Sequence, residues 1–130
     1  MSFNARTQNN KSNTTHFLTM TVVGWIDVFT RDEYRQVIIE SLKYCQEEKG
    51  LEINAYVIMT NHLHIICRAE EGSDGLSAII RDFKKYTAKK IINMIEESKT
   101  ESKKEWTLKL FEYYAKKNKT ITLSILATWK

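Results

Sequence analysis

Two apolar, strand-like runs separated by only two residues constrain the fold of this chain more than any other feature. Leu51 to Met59 has the sequence LEINAYVIM and His62 to Arg68 has the sequence HLHIICR, with Thr60-Asn61 between them. Both runs contain β-branched residues that favour strands. Because the link is so short, it predicts an antiparallel β-hairpin, with or without a bulge.

Helical periodicity is found on both sides of this hairpin. A first helix is predicted to begin at a capping box, Thr30 to Glu33, and to end before Gly50, a residue suited to a left-handed C-terminal position. A second helix is predicted from about Leu76 to Glu97. A third is predicted to begin at a similar capping signature, Ser102 to Glu105, and to extend to about Lys117.

The order of these elements predicts the fold class. A first strand is expected at His16 to Val23, after a loose polar tail at residues 1–14. The resulting order β-α-β-β-α, followed by an extra C-terminal helix, predicts an α+β, ferredoxin-like antiparallel sheet that lacks its final strand. We expect residues 15–130 to form a single domain, since the 130-residue chain is 42% hydrophobic.

The positive charge of the chain is concentrated in its second half. The formal net charge is only +4, but basic residues are frequent from Arg81 to Lys119. A phosphate backbone is one partner for such a surface, and a solvated lysine-rich helical face is the alternative.

Cysteine usage and hydropathy predict the compartment. Cys45 and Cys67 lack the CxxC spacing of zinc ribbons and redox motifs, which favours buried, reduced thiols. The chain has neither a signal-peptide core nor an apolar run of about 20 residues. We therefore expect a soluble, cytoplasmic protein with no membrane partner.

His62 and His64 are the residues best placed for chemistry. Side chains alternate along a strand, so both histidines point to one face, with Cα atoms about 6.5 Å apart. Two neutral imidazoles in this arrangement can bind one divalent ion, although a third ligand must come from elsewhere. The alternative is an edge strand that has one polar face.

The segment from Ala55 to Ile66, AYVIMTNHLHII, resembles the core of the single-tyrosine HUH transposases, in particular the REP-associated tyrosine transposases. The resemblance extends from His16 through the segment RDFKKYT, Arg81 to Thr87. Asn-His-hydrophobic-His after an apolar strand is its specific part.

The resemblance implies a function as well as a fold. His62 and His64 would lie on a central strand and hold Mg²⁺ or Mn²⁺, which would polarise a phosphodiester of single-stranded DNA. A tyrosine would attack phosphorus to give a 5′-phosphotyrosine. Imperfect hairpins at element ends are the usual target, and some family members form homodimers. The implied DNA contacts are Arg81, Lys84, Lys85, Lys89 and Lys90.

The nucleophile is the part of the family pattern that this chain does not match. In the family it lies on a further helix, and Tyr86 matches a position that is ordinarily aromatic packing. Tyr86 is nevertheless the candidate catalytic residue, whereas Tyr113 and Tyr114 cannot be aligned with the nucleophile. We therefore expect strand cleavage to be impaired.

The last residues, Thr120 to Lys130, do not match the usual family continuation Tyr-Gln-Phe-Trp-Gln. One permitted back-translation from Leu123, read one nucleotide later, encodes Tyr-Gln-Phe-Trp-Gln-His-Gly-Asn. We therefore expect a frameshift near Lys116 to Lys119 and a domain that is incomplete at its C-terminus. Sequencing the locus tests this expectation.

Three functions remain open at this point. The first is a transposase-type domain that binds DNA and a divalent ion. The second is a non-catalytic nucleic-acid-binding module that keeps the fold and the basic helix. The third is a structural or partner-binding domain in which the histidines are merely packed.

Overall fold

The computed structural model describes residues 14–98, 104–117 and 126–129. Within these ranges the chain forms, in order, β1 (His16–Val22), α1 (Asp32–Glu48), β2 (Leu51–Ile58), β3 (His62–Ala69), α2 (Leu76–Glu97), α3 (Lys104–Lys117) and β4 (Leu126–Trp129). Two short 3-10 turns, Val23–Trp25 and Val28–Thr30, connect β1 to α1. The predicted tail lies almost entirely outside the described residues.

The strands form one sheet in the order β2-β3-β1-β4, and all neighbouring strands are antiparallel. β2 and β3 are consecutive strands of a hairpin, whereas β1 pairs with β3 across a much longer connection. This arrangement confirms the predicted α+β, ferredoxin-like class, including the extra helix that follows α2.

The expectation that the final strand is missing was wrong. Leu126–Trp129 pairs with the edge of β1, with Met20 opposite Thr128 in the register. This strand has four residues, too few to show the alternation by which a strand is recognised in a sequence. Its assignment rests on backbone pairing, which only the three-dimensional arrangement reveals.

The core lies between the sheet and helices α1 and α2. Alternate residues of β3, such as Leu63 and Ile65, are completely buried against core residues that include Ile38 of α1 and Phe83 of α2. Their neighbours along the strand are only half-buried, because they point to the other side of the sheet. We call the side opposite α1 and α2 the open face.

The start of α1 differs from the prediction. The N-cap residue is Arg31, which makes no side-chain cap hydrogen bond, and the helix begins at Asp32. The hydroxyl of Thr30 instead donates to the carbonyl of Asp27 at 2.9 Å. The capping box was therefore wrong, because Thr30 is the last residue of a 3-10 turn and closes that turn.

The end of α1 was predicted correctly. Gly50 follows the C-cap residue Lys49 and has a φ of 77°. A Cβ atom added to Gly50 would lie 3.0 Å from the Cβ of Ser73, so both the backbone angle and the available space favour glycine.

The remaining bounds largely follow the sequence pattern. The predicted range of α2, Leu76–Glu97, is confirmed, and α3 extends to Lys117 as predicted. The predicted cap at Ser102 lies outside the described residues. The bulge of the hairpin lies within β2, between Ile53 and Ala55, rather than at the turn. Among the described residues, no helix combines the length and apolarity that a membrane crossing requires.

Candidate metal centre on the open face of the sheet

His62 and His64 lie together on the open face, as the strand alternation predicts. Their ring centroids are 4.8 Å apart and the ring planes meet at 81°. Across the sheet, the residue opposite His62 in β1 is Thr21, and the residue opposite His64 is Thr19. The two imidazoles therefore belong to a central strand and face the same space, as the resemblance implied.

His64 is held by residues of β1. Its Nδ1 atom lies 3.0 Å from the hydroxyl oxygen of Thr19, within hydrogen-bond distance. The ring of Phe17 lies 5.6 Å from the ring of His64, at an interplanar angle of 32°. Phe17 is 51% exposed, so it borders the site on the open face without closing it.

His62 is held by the residue that precedes it. Its Nδ1 atom lies 2.8 Å from Oδ1 of Asn61, and Nδ2 of Asn61 donates to the carbonyl of Trp25 at 3.3 Å. Trp25 has a φ of 59°, a left-handed conformation that non-glycine residues seldom adopt. One amide thus links the 3-10 turn after β1 to the first histidine of β3.

The backbone of the hairpin turn is also fixed. The amide of Val22 donates to the carbonyl of Asn61, and the amide of Phe29 donates to the carbonyl of Thr60, both at 2.9 Å. The amide of Met59 donates to the carbonyl of His62 at 2.7 Å and closes the turn. The backbone of the turn before His62 is therefore fixed by hydrogen bonds to β1, to the second 3-10 turn and to β3 itself.

The donor set fits a divalent ion through two nitrogen ligands. Each imidazole has its Nδ1 atom next to a protein oxygen, an arrangement typical of metal-binding histidines, whose second nitrogen contacts the metal. Among the residues that the structure describes, no group of three His, Cys, Asp or Glu side chains could hold a metal ion. His62 and His64 can therefore hold the ion if oxygen ligands from another source fill its remaining coordination positions.

The five predicted DNA-contacting residues lie on α2, but they do not form one surface. Arg81, Lys85 and Lys89 are exposed and follow one another at intervals of four residues, so they share a helix face. We call these three residues the basic row. Arg81 also contacts a carboxylate, since its Nε atom lies 3.3 Å from Oδ1 of Asp82.

The other two lysines differ from the basic row in burial or position. Lys84 is half-buried, and its burial lowers the pKa of its ammonium group. Lys90 is exposed but lines a groove between α1 and α2. On a helix that turns 100° per residue, Lys90 lies about 100° from Lys89 and so leaves the basic row. Lys84 lies only about 60° from Arg81, and it differs from the row by its burial.

Tyr86 is not brought to the histidine pair. It is 59% exposed and lines the groove between α1 and α2, together with Tyr44 and Lys90. Both helices pack on the side of the sheet opposite the open face. Within one chain, the sheet therefore separates the Tyr86 hydroxyl from His62 and His64.

Sequence reasoning identified Asn61 only as part of the motif and missed two further contributors to the site. The side chains of Thr19 and Asn61 contact the two imidazoles, and the carbonyl of Trp25 holds Asn61. Asn61 was visible as the first residue of the Asn-His-Leu-His motif. Thr19 could be found only from the register of β1 against β3, and the carbonyl of Trp25 has no signal in the sequence.

Comparison with known proteins supports the resemblance to the single-tyrosine transposases. Residues 12–126 match the family described as "Transposase IS200 like". A solved structure of a REP-associated tyrosine transposase bound to a REP hairpin is similar, with 26% sequence identity and a TM-score of 0.56. The similarity covers 69% of this chain and 53% of that one, so the chain spans about half the length of that transposase.

No curated protein matches the chain. The family match nevertheless includes both histidines and all of β1, α1 and α2. The chain belongs to the IS200-like family of single-tyrosine HUH transposases.

Proposed function

We propose that this chain acts as a transposase-type domain that binds single-stranded hairpin DNA and a divalent ion, Mg²⁺ or Mn²⁺. The observation that carries the proposal is the pair of imidazoles on the open face, 4.8 Å apart, each with its Nδ1 atom next to a protein oxygen. Structural packing alone does not require two adjacent histidines on the same face of one strand.

The choice of DNA as partner is supported by two further observations. The similar solved transposase was determined with a REP hairpin bound. In this chain, the basic row on α2 provides three exposed cations on one helix face, and such a face can neutralise backbone phosphates. We therefore propose that the basic row positions the DNA and that the open face receives the phosphodiester to be polarised.

The roles of the residues follow from their contacts. His62 and His64 would hold the ion, and a bound divalent ion supplies Lewis-acid polarisation of a phosphate oxygen. Thr19 and Asn61 keep the two rings in place, and Phe17 borders the site at the exposed side of His64. Since imidazole is a softer ligand than the oxygens preferred by Mg²⁺, we expect Mn²⁺ to bind more tightly.

A second candidate is a non-catalytic nucleic-acid-binding module that keeps the fold and the basic row. The position of Tyr86 favours this candidate, because α1 and α2 hold it on the other side of the sheet from the histidines. On this reading the chain binds DNA and the ion without forming a phosphotyrosine bond.

Binding measurements test the proposal. Mn²⁺ binding is followed by electron paramagnetic resonance, and binding of a single-stranded hairpin oligonucleotide by fluorescence anisotropy, with a duplex of equal length as the competitor. Replacing both histidines (H62A with H64A) should weaken Mn²⁺ binding by more than about 100-fold, which exceeds the usual cost of losing a supporting residue. Asn93→Ala, an exposed change on α2, is the control and should have no effect.

A denaturing gel separates the two candidates. The wild-type protein is incubated with hairpin DNA and Mn²⁺, and a covalent adduct is sought. An adduct supports the transposase-type function, and its absence from a protein that binds both DNA and Mn²⁺ supports the non-catalytic module. Loss of the adduct in Tyr86→Phe would contradict the separation of Tyr86 from the site. A protein that binds neither Mn²⁺ nor DNA would exclude both candidates.

A further inference from the structure

The orientation of the Asn61 amide is fixed by its contact with Trp25. The carbonyl oxygen of Trp25 can only accept a hydrogen bond, and it lies 3.3 Å from the Asn61 amide. The end of the amide that faces this carbonyl must therefore be the NH₂ group. The opposite end, Oδ1, faces His62 at 2.8 Å from its Nδ1 atom.

This orientation determines which nitrogen of His62 carries the proton. Oδ1 of Asn61 is a carbonyl oxygen and has no proton to donate, so Nδ1 of a neutral His62 must be the donor. A neutral imidazole carries one ring proton, and its Nε2 atom is then left with a free lone pair. The free lone pair is the feature that a metal ligand needs.

Asn61 is itself held more firmly than its position in a turn suggests. Its carbonyl accepts from Val22, its NH₂ group donates to Trp25, and its Oδ1 accepts from His62. The left-handed backbone of Trp25 is part of this arrangement, because it presents the carbonyl that orients the amide. A side chain with these three fixed contacts can impose a tautomer on its neighbour.

His64 differs from His62 in this respect. The hydroxyl of Thr19 can donate to Nδ1 or accept from it, since a hydroxyl rotates to suit its partner. The contact with Thr19 therefore fixes the position of the His64 ring and leaves its tautomer free. Of the two histidines, only His62 has its proton position determined by a partner that cannot donate.

We propose that Asn61 is a positioning residue that holds neutral His62 in the Nδ1-protonated tautomer and so keeps Nε2 available for a divalent ion. The tautomer depends on this chain alone, whereas its use in metal binding rests on the function proposed above. The two parts can be tested separately.

The tautomer is measured in metal-free protein. Two-bond ¹⁵N-¹H correlation spectra of protein labelled at histidine distinguish protonated from unprotonated ring nitrogens, at a pH where both rings are neutral. Wild-type His62 should carry its proton on Nδ1. In Asn61→Ala the acceptor is lost, and the proton should move to Nε2, which an unpartnered imidazole prefers.

Asn61→Asp separates the acceptor from the donor. A carboxylate still accepts from Nδ1 of His62 but cannot donate to Trp25, so the Nδ1-protonated form should persist. Asn93→Ala, on exposed α2 surface, should leave both histidine spectra unchanged. A proton on Nε2 in the wild type, or an unchanged spectrum in Asn61→Ala, would overturn the proposal. Loss of the Nδ1-protonated form in Asn61→Asp would also contradict it, because the carboxylate keeps the acceptor that the proposal makes responsible.

The metal arm uses Mn²⁺ alone as the probe. Asn61→Ala should raise the dissociation constant for Mn²⁺ by about 10- to 100-fold, the usual effect of removing a residue that supports a metal ligand. Unchanged Mn²⁺ affinity in Asn61→Ala would contradict a role of Asn61 in metal binding. If the wild type bound no Mn²⁺, the proposed function would fail, and the spectra would still decide the tautomer.

Discussion

The two faces of β3 come from one eight-residue strand and have opposite character. On the face toward the helices, Leu63, Ile65 and Cys67 are completely buried among apolar neighbours. On the open face, His62 and His64 are half-buried, and each has a polar partner for its Nδ1 atom. The helix-facing residues form the core, and the open-face residues form the candidate metal centre.

This difference shows how the fold supports a site. A polar pair costs little on the open face, because water and neighbouring hydroxyl or amide groups satisfy it. The same strand is anchored from behind by close packing, so its two imidazoles are held on rigid backbone. The experiments below test whether the two faces differ as strongly as the structure indicates.

The largest expected effect is on stability. Leu63→Ala removes a side chain with no exposed surface and should lower the free energy of unfolding by about 3–5 kcal/mol. Ile66→Ala, on the half-buried open face of the same strand, should cost only about 1 kcal/mol. Urea unfolding monitored by circular dichroism measures both. Equal losses would contradict an open face and indicate that this face is covered in solution.

The second effect concerns pH. Burial raises the pKa of the Cys67 thiol from 9.0 to about 12. As the pH rises, the unfolded chain therefore loses this proton at a lower pH than the folded protein does. The contribution of Cys67 to stability is therefore full below about pH 9 and decreases as the pH rises toward 12, by about 1.4 kcal/mol per pH unit.

Cys67→Ala isolates this contribution, since other groups also titrate at alkaline pH. The wild type should lose more stability than Cys67→Ala between about pH 8 and about pH 10.5, as measured by urea unfolding. Parallel losses in the two proteins would show that water reaches the helix-facing side of β3.

The third effect tests whether the helical side takes part in DNA binding. Lys85→Gln with Lys89→Gln removes two charges of the basic row, and Lys43→Gln with Lys109→Gln removes two exposed charges elsewhere. If each basic-row lysine neutralises a phosphate of single-stranded DNA, the first pair should reduce the slope of log K against log salt by about 1.4. Equal slopes for the two double variants would remove the basic row from the interface.

The smallest effect is expected for an ion pair on the open face. Arg68 of β3 contacts Glu52 of β2, and both side chains are about two-fifths exposed (41% and 42%). The contact also raises the pKa of the Arg68 guanidinium. A double-mutant cycle with Arg68→Ala and Glu52→Ala should give only a weak coupling that decreases with salt. A larger coupling that persists in salt would mean that this part of the open face is shielded from water.

Strand and helix patterns predicted most of the fold because they depend on local periodicity. The bounds of α2 and the left-handed Gly50 followed directly from apolar spacing and glycine chemistry. Thr30 failed as a cap because three residues of 3-10 turn precede α1, and a capping signature does not encode that turn. Strand β4 was missed because only its pairing with β1 identifies it.

The site was predictable to the extent that it lies on one strand. The period of two placed His62 and His64 on one face, and the structure agrees. Residues on α2 were less predictable, because Lys84 is half-buried, helical rotation directs Lys90 away from the basic row, and Tyr86 lies behind the sheet. Partners from other strands or turns require the tertiary register.

The carbonyl of Trp25 has a consequence for how this site would tolerate mutation. A backbone oxygen can be supplied by nearly every amino acid, so the chemical identity of residue 25 matters less than the path of its main chain. In a saturation scan, position 25 should accept glycine or asparagine, which adopt a φ of 59° readily, and should reject proline and β-branched residues. The scan would therefore show that position 25 is constrained by its backbone conformation, whereas position 61 is constrained by the hydrogen-bonding groups of its side chain.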